Sequence, residues 1–198
     1  IELAYVLGKG KVVAITGTNG KTTTTTLVGQ IMARHFAKVQ VVGNIGIPYT
    51  SVVEDTTEDT VVVAEISSFQ LETIQTFAPK AAAILNITPD HLNRHHTMEN
   101  YIAAKESIVK NQSKEDVCVL NYNDEVLRDF GKTLEQNVIY FSSTEVLEEG
   151  LYLDGNEIMW ARNGGREAII SVEELHILGA HNYENAMAAI ALCDGMGV

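Results

Sequence analysis

Runs of basic residues are missing from this chain, in which 14 Lys and Arg face 26 Asp and Glu over 198 residues, a formal charge of −12 at pH 7. A protein neutralises the phosphates of duplex nucleic acid with a basic face, so no nucleic acid partner is expected. Small anions stay possible, because one lysine and a helix N-terminus can hold a phosphate within an acidic total. No apolar run approaches the roughly 20 residues that cross a bilayer. No signal peptide is visible, and no membrane insertion is expected. Cysteine is scarce: Cys118 and Cys193 lie far apart in apolar or helical contexts and read as buried free thiols, not a disulfide or a metal pair. Internal repeats and low-complexity linkers are absent as well. What is plentiful is apolar content, 45%, enough to bury the core of one domain. The chain opens on Ile1 and stops at Gly195-Met196-Gly197-Val198, just past an alanine-rich helix, so the expectation is a domain of a longer protein.

The segment Val12-Val13-Ala14-Ile15-Thr16-Gly17-Thr18-Asn19-Gly20-Lys21-Thr22-Thr23 reads as a buried strand, a glycine loop and a helix that opens on a lysine and hydroxyls. A triphosphate needs that order. Backbone N–H groups and the helix N-terminus face the anion, Lys21 reaches the terminal phosphates, and the Thr22 hydroxyl can ligate Mg²⁺. Gly17 through Thr23 therefore form the candidate phosphate cradle. The common pattern, G-x-x-x-x-G-K-[ST], asks for glycine where Ile15 stands, so the loop is a shortened G-x-x-G-K-T variant.

Strand-like and helical runs alternate. Strands are expected over 11–16, 39–42, 60–66, 81–87, 117–121 and 138–141. Helices are expected over 21–36, near 69–77, and over 98–111, 125–134 and 183–194. The uninterrupted apolar run Val61-Val62-Val63-Ala64 suits a strand covered on both faces. The expected fold is therefore α/β, a mostly parallel sheet flanked by helices, like that of P-loop nucleotide hydrolases. Turn signals at Asp154-Gly155-Asn156 and Asn163-Gly164-Gly165 predict a small antiparallel hairpin at one edge.

Open parallel sheets bind ligands at the carboxyl ends of their strands. Glu65 ends one strand there, and a carboxylate in that crevice is suited to hold Mg²⁺. His91, in Asn86-Ile87-Thr88-Pro89-Asp90-His91, ends the next; it can ligate a metal, contact phosphate or be structural. His95 and His96 lack such a context and are expected in solvent. Lys105 shares a helix face with Tyr101 and Ile108. Buried there it would carry a depressed pKa and a nucleophilic neutral amine, but on residues alone a snorkelling lysine is the simpler expectation. Gly43-Asn44-Ile45-Gly46-Ile47-Pro48 is a rim loop or merely a tight connection. Asn182 is an N-cap, or Asn182 and Asn185 both face a ligand.

Taken together, Thr16-Gly17-Thr18-Asn19-Gly20-Lys21-Thr22, Gly43-Asn44-Ile45-Gly46, Glu65-Ile66-Ser67-Ser68-Phe69-Gln70-Leu71-Glu72, Asp90-His91 with Lys105, and His181-Asn182-Tyr183-Glu184-Asn185-Ala186 resemble the Mur ligase family across nearly the whole chain. That family uses the short glycine loop. The Ser-Ser-Phe-Gln-Leu-Glu string is its most selective part and is similar to members that join D-glutamate to UDP-N-acetylmuramoyl-L-alanine. The resemblance implies an ATP-dependent amide ligase of peptidoglycan precursor synthesis in the bacterial cytoplasm, acting through an acyl phosphate. It implies that Lys21 and Thr22 hold the β- and γ-phosphates and Mg²⁺, with Glu65 on the same ion. It further implies that His91 and Lys105 serve a second Mg²⁺ with Lys105 carbamylated by CO₂, that Asn44 lies near the acyl-phosphate site, and that Asn182 and Asn185 lie on the adenine side. Residues 1–10 would then be the remnant of a preceding domain or linker and residues 11–198 the central ATP-binding domain. Its amino- and carboxyl-terminal partner domains would be absent, leaving a piece that is inactive alone. The rival readings are another ligase of the superfamily, such as a folylpolyglutamate synthase, and a non-catalytic nucleotide-binding module.

Overall fold

Val61-Val62-Val63-Ala64 lies inside a nine-stranded sheet in the computed structural model, which describes residues 1–175 and 179–198. Strand β3 (Val61–Glu65), buried at every position, pairs in parallel with β1 (Lys11–Thr16) on one side and β2 (Val39–Gly43) on the other. From β1 the sheet continues in parallel through β4 (Ala81–Ile84), β5 (Val117–Asn121), β6 (Asn137–Ser142) and β7 (Gly150–Asp154). β8 (Glu157–Arg162) and β9 (Gly165–Ser171) complete it in antiparallel sense, giving the order β2-β3-β1-β4-β5-β6-β7-β8-β9.

Parallel neighbours need crossovers, and the crossover helices cover both faces, which is why the central strands carry no polar alternation. On β1, Val13 and Ile15 pack with Val28 and Met32 of α2 (Lys21–His35) and with Met187 and Leu192 of α7 (Ala180–Asp194). Val12 and Ala14 face the other way, into a core shared with Ala4 of α1 (Glu2–Leu7), Tyr101 of α5 (Met98–Glu106), Ile108 and Leu127 of α6 (Glu125–Gly131). Each such aliphatic side chain contributes about 1.5–3 kcal/mol on burial.

The expected α/β sheet and its antiparallel edge are present; the strand expected over 81–87 ends at Ile84, and three further elements differ. First, the helix expected near 69–77 is α3 (Ser68–Leu71), a single turn closed by a Ser67–Gln70 capping box. The following residues take other partners: Glu2 accepts backbone N–H bonds from Gln75 at 3.0 Å, Thr76 at 2.7 Å and Phe77 at 3.1 Å, and Phe77 packs edge-on against Tyr5. Second, the helix expected over 98–111 ends at Glu106 and tightens into a 3₁₀ turn, Ser107–Val109. Third, the hairpin is a three-stranded meander whose first strand pairs in parallel with β6 and so joins the main sheet. Cys118 and Cys193 are buried free thiols, as expected. Burial pushes both upward in pKa, Cys193 to about 12.

Candidate nucleotide and metal site

The carboxyl ends of β1, β2, β3 and β4 lie along one edge, and the chain switches from one side of β1 to the other there. The loop leaving β1 enters α2 through Gly20, whose φ of +83° is left-handed and whose missing Cβ would stand 2.2 Å from Asn185 Oδ1. Only glycine lets the loop and α7 approach so closely. Asn86, just past β4, clamps the same loop: its Oδ1 accepts from Asn19 N at 2.8 Å and its Nδ2 donates to Asn19 O at 3.1 Å.

Lys21 Nζ donates to the Gly17 and Thr18 carbonyls, at 3.0 and 2.9 Å. Burial holds its pKa below the ordinary lysine value, while Glu65 and Asp90 pull the other way. Just beyond the loop, in the first turn of α2, Thr22 Oγ1 donates to Glu65 Oε2 at 2.8 Å, and Asn44 Nδ2 donates to Glu65 Oε1 at 3.2 Å. The structure thus brings Lys21, Thr22, Asn44 and Glu65 together, with Glu65 buried instead of facing solvent. Hydroxyl and carboxylate oxygens side by side are hard donors that suit Mg²⁺. Among the described residues no three His, Cys, Asp or Glu side chains converge as a ready-made metal cage. An ion here would complete its shell from water and phosphate oxygens, as Mg²⁺ commonly does.

The Asn44 position depends on Gly43, which ends β2 at φ +126° where an added Cβ would clash with Glu65 O at 2.1 Å. Asn44 N donates to that same carbonyl at 2.8 Å. Gly43→Ala is expected to cost at least about 3 kcal/mol. Thermal unfolding should then drop by roughly 6–12 °C in a domain of this size. A midpoint within about 2 °C of the parent would mean that the strand exit relaxes freely.

Lys105 corrects the snorkelling expectation. It is 2% exposed, its Nζ donates to Gly17 O at 2.8 Å, and it lies 4.8 Å from the centre of the Tyr101 ring. Two lysines therefore share one loop carbonyl. Burial first, then repulsion from Lys21, pushes Lys105 down to about 7, against the pull of Asp90. His91 lies at the rim, half-exposed, with Nε2 3.3 Å from Asp90 Oδ2 and its ring 5.0 Å from that of Phe69. Asp90, which it faces, is also the carboxylate whose charge favours the Lys105 ammonium.

On the α7 side, Asn185 is buried, accepts from Thr24 Oγ1 at 3.3 Å and donates to Asn182 Oδ1 at 3.3 Å. Both asparagines border a cleft of about 220 Å³ with Gly20, Thr23, Leu85 and Phe141. The helix N-cap is Gly179, so the N-cap reading of Asn182 falls.

The expectation that His95 is solvated is also wrong. His95 is 5% exposed, against Ser68, Phe69 and Tyr101, while His96 is exposed as expected. Asn86, Tyr101 and His95 were the residues that sequence reasoning left without a role. The only signal for Asn86 was its place directly after an apolar strand, and for Tyr101 its helical spacing from Lys105.

The family model for the Mur ligase middle domain matches residues 15–193. A UDP-N-acetylmuramoylalanine--D-glutamate ligase of Lachnoclostridium phytofermentans is 57% identical over 199 residues, covering 100% of this chain and 44% of that protein. The ligase of the same name from Clostridioides difficile is 49% identical over 193 residues, covering 97% of this chain and 43% of the relative. The chain thus spans less than half the length of the curated relatives it matches. Among solved structures, a UDP-N-acetylmuramoyl-L-alanyl-D-glutamate--2,6-diaminopimelate ligase superposes with TM-score 0.72 at 21% identity, over 100% of this chain and 45% of the other. MurF ligase from Thermotoga maritima, solved with ADP, gives 0.69 at 20% identity over 99% of this chain and 48% of that one. At such identities the likeness establishes the shared fold.

Proposed function

This chain belongs to the Mur ligase family, as its middle domain, and we propose that it is the nucleotide- and metal-handling part of a ligase joining D-glutamate to UDP-N-acetylmuramoyl-L-alanine at the expense of ATP. The observation that carries the reading is the Thr22–Glu65–Asn44 cluster set beside the Lys21 loop. In the reaction, the substrate carboxylate attacks the γ-phosphorus of ATP, giving an acyl phosphate and ADP. The D-glutamate amine then attacks the acyl carbon, and phosphate and a proton leave.

Attack of an anion on an anion is limited by charge and by positioning. Lys21 moves from the neutral carbonyls of Gly17 and Thr18 onto the β- and γ-phosphates. The N–H groups of residues 17–23 cradle those phosphates, and Asn44 hydrogen-bonds the transferring group. Thr22 and Glu65 would hold one Mg²⁺, and His91 with Lys105 would serve a second; bound there, such ions would supply neutralisation of charge on the phosphate. Lys105, as a neutral amine, adds to CO₂, losing a proton and becoming an anionic carbamate suited to a cation. Asn182 and Asn185, beside the cleft at α7, hold the adenine end.

Residues 1–10 lead in from a preceding domain, and residues 11–198 form the central domain. The partner domains supply the UDP site and close over the nucleotide. The enzyme works in the bacterial cytoplasm, where its substrates are; no helix among the described residues is long and apolar enough to cross a membrane. The test is phosphate release by the full-length protein given ATP, Mg²⁺, UDP-N-acetylmuramoyl-L-alanine and D-glutamate. Release that requires D-glutamate is expected, with none from the 198-residue chain alone. Release driven by another amino acid or by a folate would overturn the substrate reading, and amide product from the isolated chain would overturn the domain division.

A further inference from the structure

Beside the phosphate loop, a second buried polar cluster ties α3 to the rim. α4 (Leu92–His95) is a single turn entered through His91 at φ +51° and left through His96 at φ +69°. Two non-glycine residues in left-handed backbone, five positions apart, are costly and persist only where tertiary contacts hold them. A four-residue helix cannot hold itself, and neither can the four-residue α3. The group between the two strained residues is His95. Its ring stacks on Phe69 at 5.5 Å and 13° and meets Tyr101 at 5.3 Å. Its Nε2 is 2.9 Å from Ser68 Oγ and its Nδ1 is 3.4 Å from Glu72 Oε1. Asn100 Nδ2 donates to its carbonyl at 2.9 Å.

Serine, histidine and glutamate in that order match the arrangement of a hydrolase triad. Ser68 is 2% exposed, however, so no carbonyl can reach its oxygen and the network orients instead of attacking. Glu72 is kept ionised by the hydrogen bond from Arg94, at 2.8 Å. A carboxylate there places the ring proton on Nδ1, which leaves Nε2 to accept from the Ser68 hydroxyl. One ring thus grips α3 at two points. It also backs Tyr101, whose hydroxyl lies 3.0 Å from Thr18 Oγ1 in the phosphate loop.

We propose that His95 is a positioning residue of the ligase reaction: through Ser68, Glu72 and Phe69 it locks α3 to the loop bearing Asp90 and His91, and so fixes where that rim stands against the phosphate loop. The inference rests on the function proposed above. His95 is 5% exposed and enclosed by Ser68, Phe69 and Tyr101, so its loss shifts the reacting groups without removing a binding contact. Displacement of about 1 Å costs on the order of 100-fold in rate.

The test is made on the full-length ligase, with kcat, KM and Mg-ATP affinity measured for His95→Phe, His95→Gln and Ser68→Ala. Phenylalanine keeps the stack and drops both polar contacts; glutamine keeps one donor and one acceptor. His95→Phe is expected to lower kcat about 10- to 100-fold with Mg-ATP affinity within about threefold. His95→Gln should recover a large part of that loss, and Ser68→Ala should show a smaller loss that His95→Phe absorbs in the double variant. Should His95→Phe fail to fold, Ser68→Ala decides alone. A kcat within about twofold of the parent in both, or a parallel fall in Mg-ATP affinity and kcat, would overturn the inference. Failure of the function itself would appear differently, as an unmodified enzyme that makes no product.

Discussion

Lys21→Ala is expected to weaken Mg-ATP binding by this chain sharply, measured by calorimetric titration beside the parent. Its ammonium is part-buried against two neutral carbonyls, at 3.0 and 2.9 Å, where burial already depresses its pKa. A phosphate offers the same donors a charged acceptor, and charge-assisted bonds are roughly twice as strong as neutral ones. Loss of about 2–3 kcal/mol follows, on the order of 100-fold in affinity. The unliganded alanine variant should melt close to the parent, because the buried Glu65 carboxylate keeps its hydrogen bonds from Thr22 and Asn44. Affinity retained to within about threefold would mean that the phosphates bind elsewhere, and the loop would be an ordinary strand–helix corner.

The second large effect is a pH dependence of stability carried by Lys105. Burial, then the Lys21 ammonium, brings it from the ordinary 10.5 to about 7, although Asp90 favours the charged form. Between those values the unfolded chain binds a proton that the folded chain does not, so unfolding free energy rises with pH. The penalty for the buried ammonium is complete below pH 7 and fades as pH climbs toward 10.5. From pH 6 to 9 the parent should gain about 2 kcal/mol relative to Lys105→Met, whose side chain does not titrate. Denaturant melts of both chains in CO₂-free buffer measure it, since a carbamate would otherwise add a charge. A difference that stays flat across this range would show the ammonium to be well accommodated by the Gly17 carbonyl.

Much of the candidate site was legible because a strand, glycine loop and helix start form a local device. Strand, glycines, lysine and hydroxyl lie within 12 consecutive residues, from Val12 to Thr23, and each does its work through backbone neighbours. Glu65 was legible for a related reason: a carboxylate closing an apolar strand of a parallel sheet can only stand at the ligand-binding edge. Asn86 was not, because its clamp on Asn19 joins two strand exits 67 residues apart and leaves no pattern in either segment. In sequence Lys105 resembles a snorkelling side chain, since helical spacing gives its face but not the depth of what covers it. His95 looked like a surface histidine in Arg94-His95-His96, and only the left-handed turns at His91 and His96 point it inward.

The sequence by itself determined the alternation of strand and helix, the burial of the sheet on both faces and the glycine loop between β1 and α2, because hydrophobic period and turn chemistry act over a few residues. It also determined where the antiparallel edge turns, since the glycines at 155, 164 and 165 sit at those corners. Only the tertiary structure decided how far α3 runs, because Glu2 takes up the backbone donors of 75–77 that a longer helix would have used. It alone decided that β7 extends the parallel sheet, that two lysines converge on the Gly17 carbonyl, and that Thr22 and Asn44 meet on Glu65. Those are contacts between distant segments, and their energies depend on burial and charge that no single stretch of chain carries.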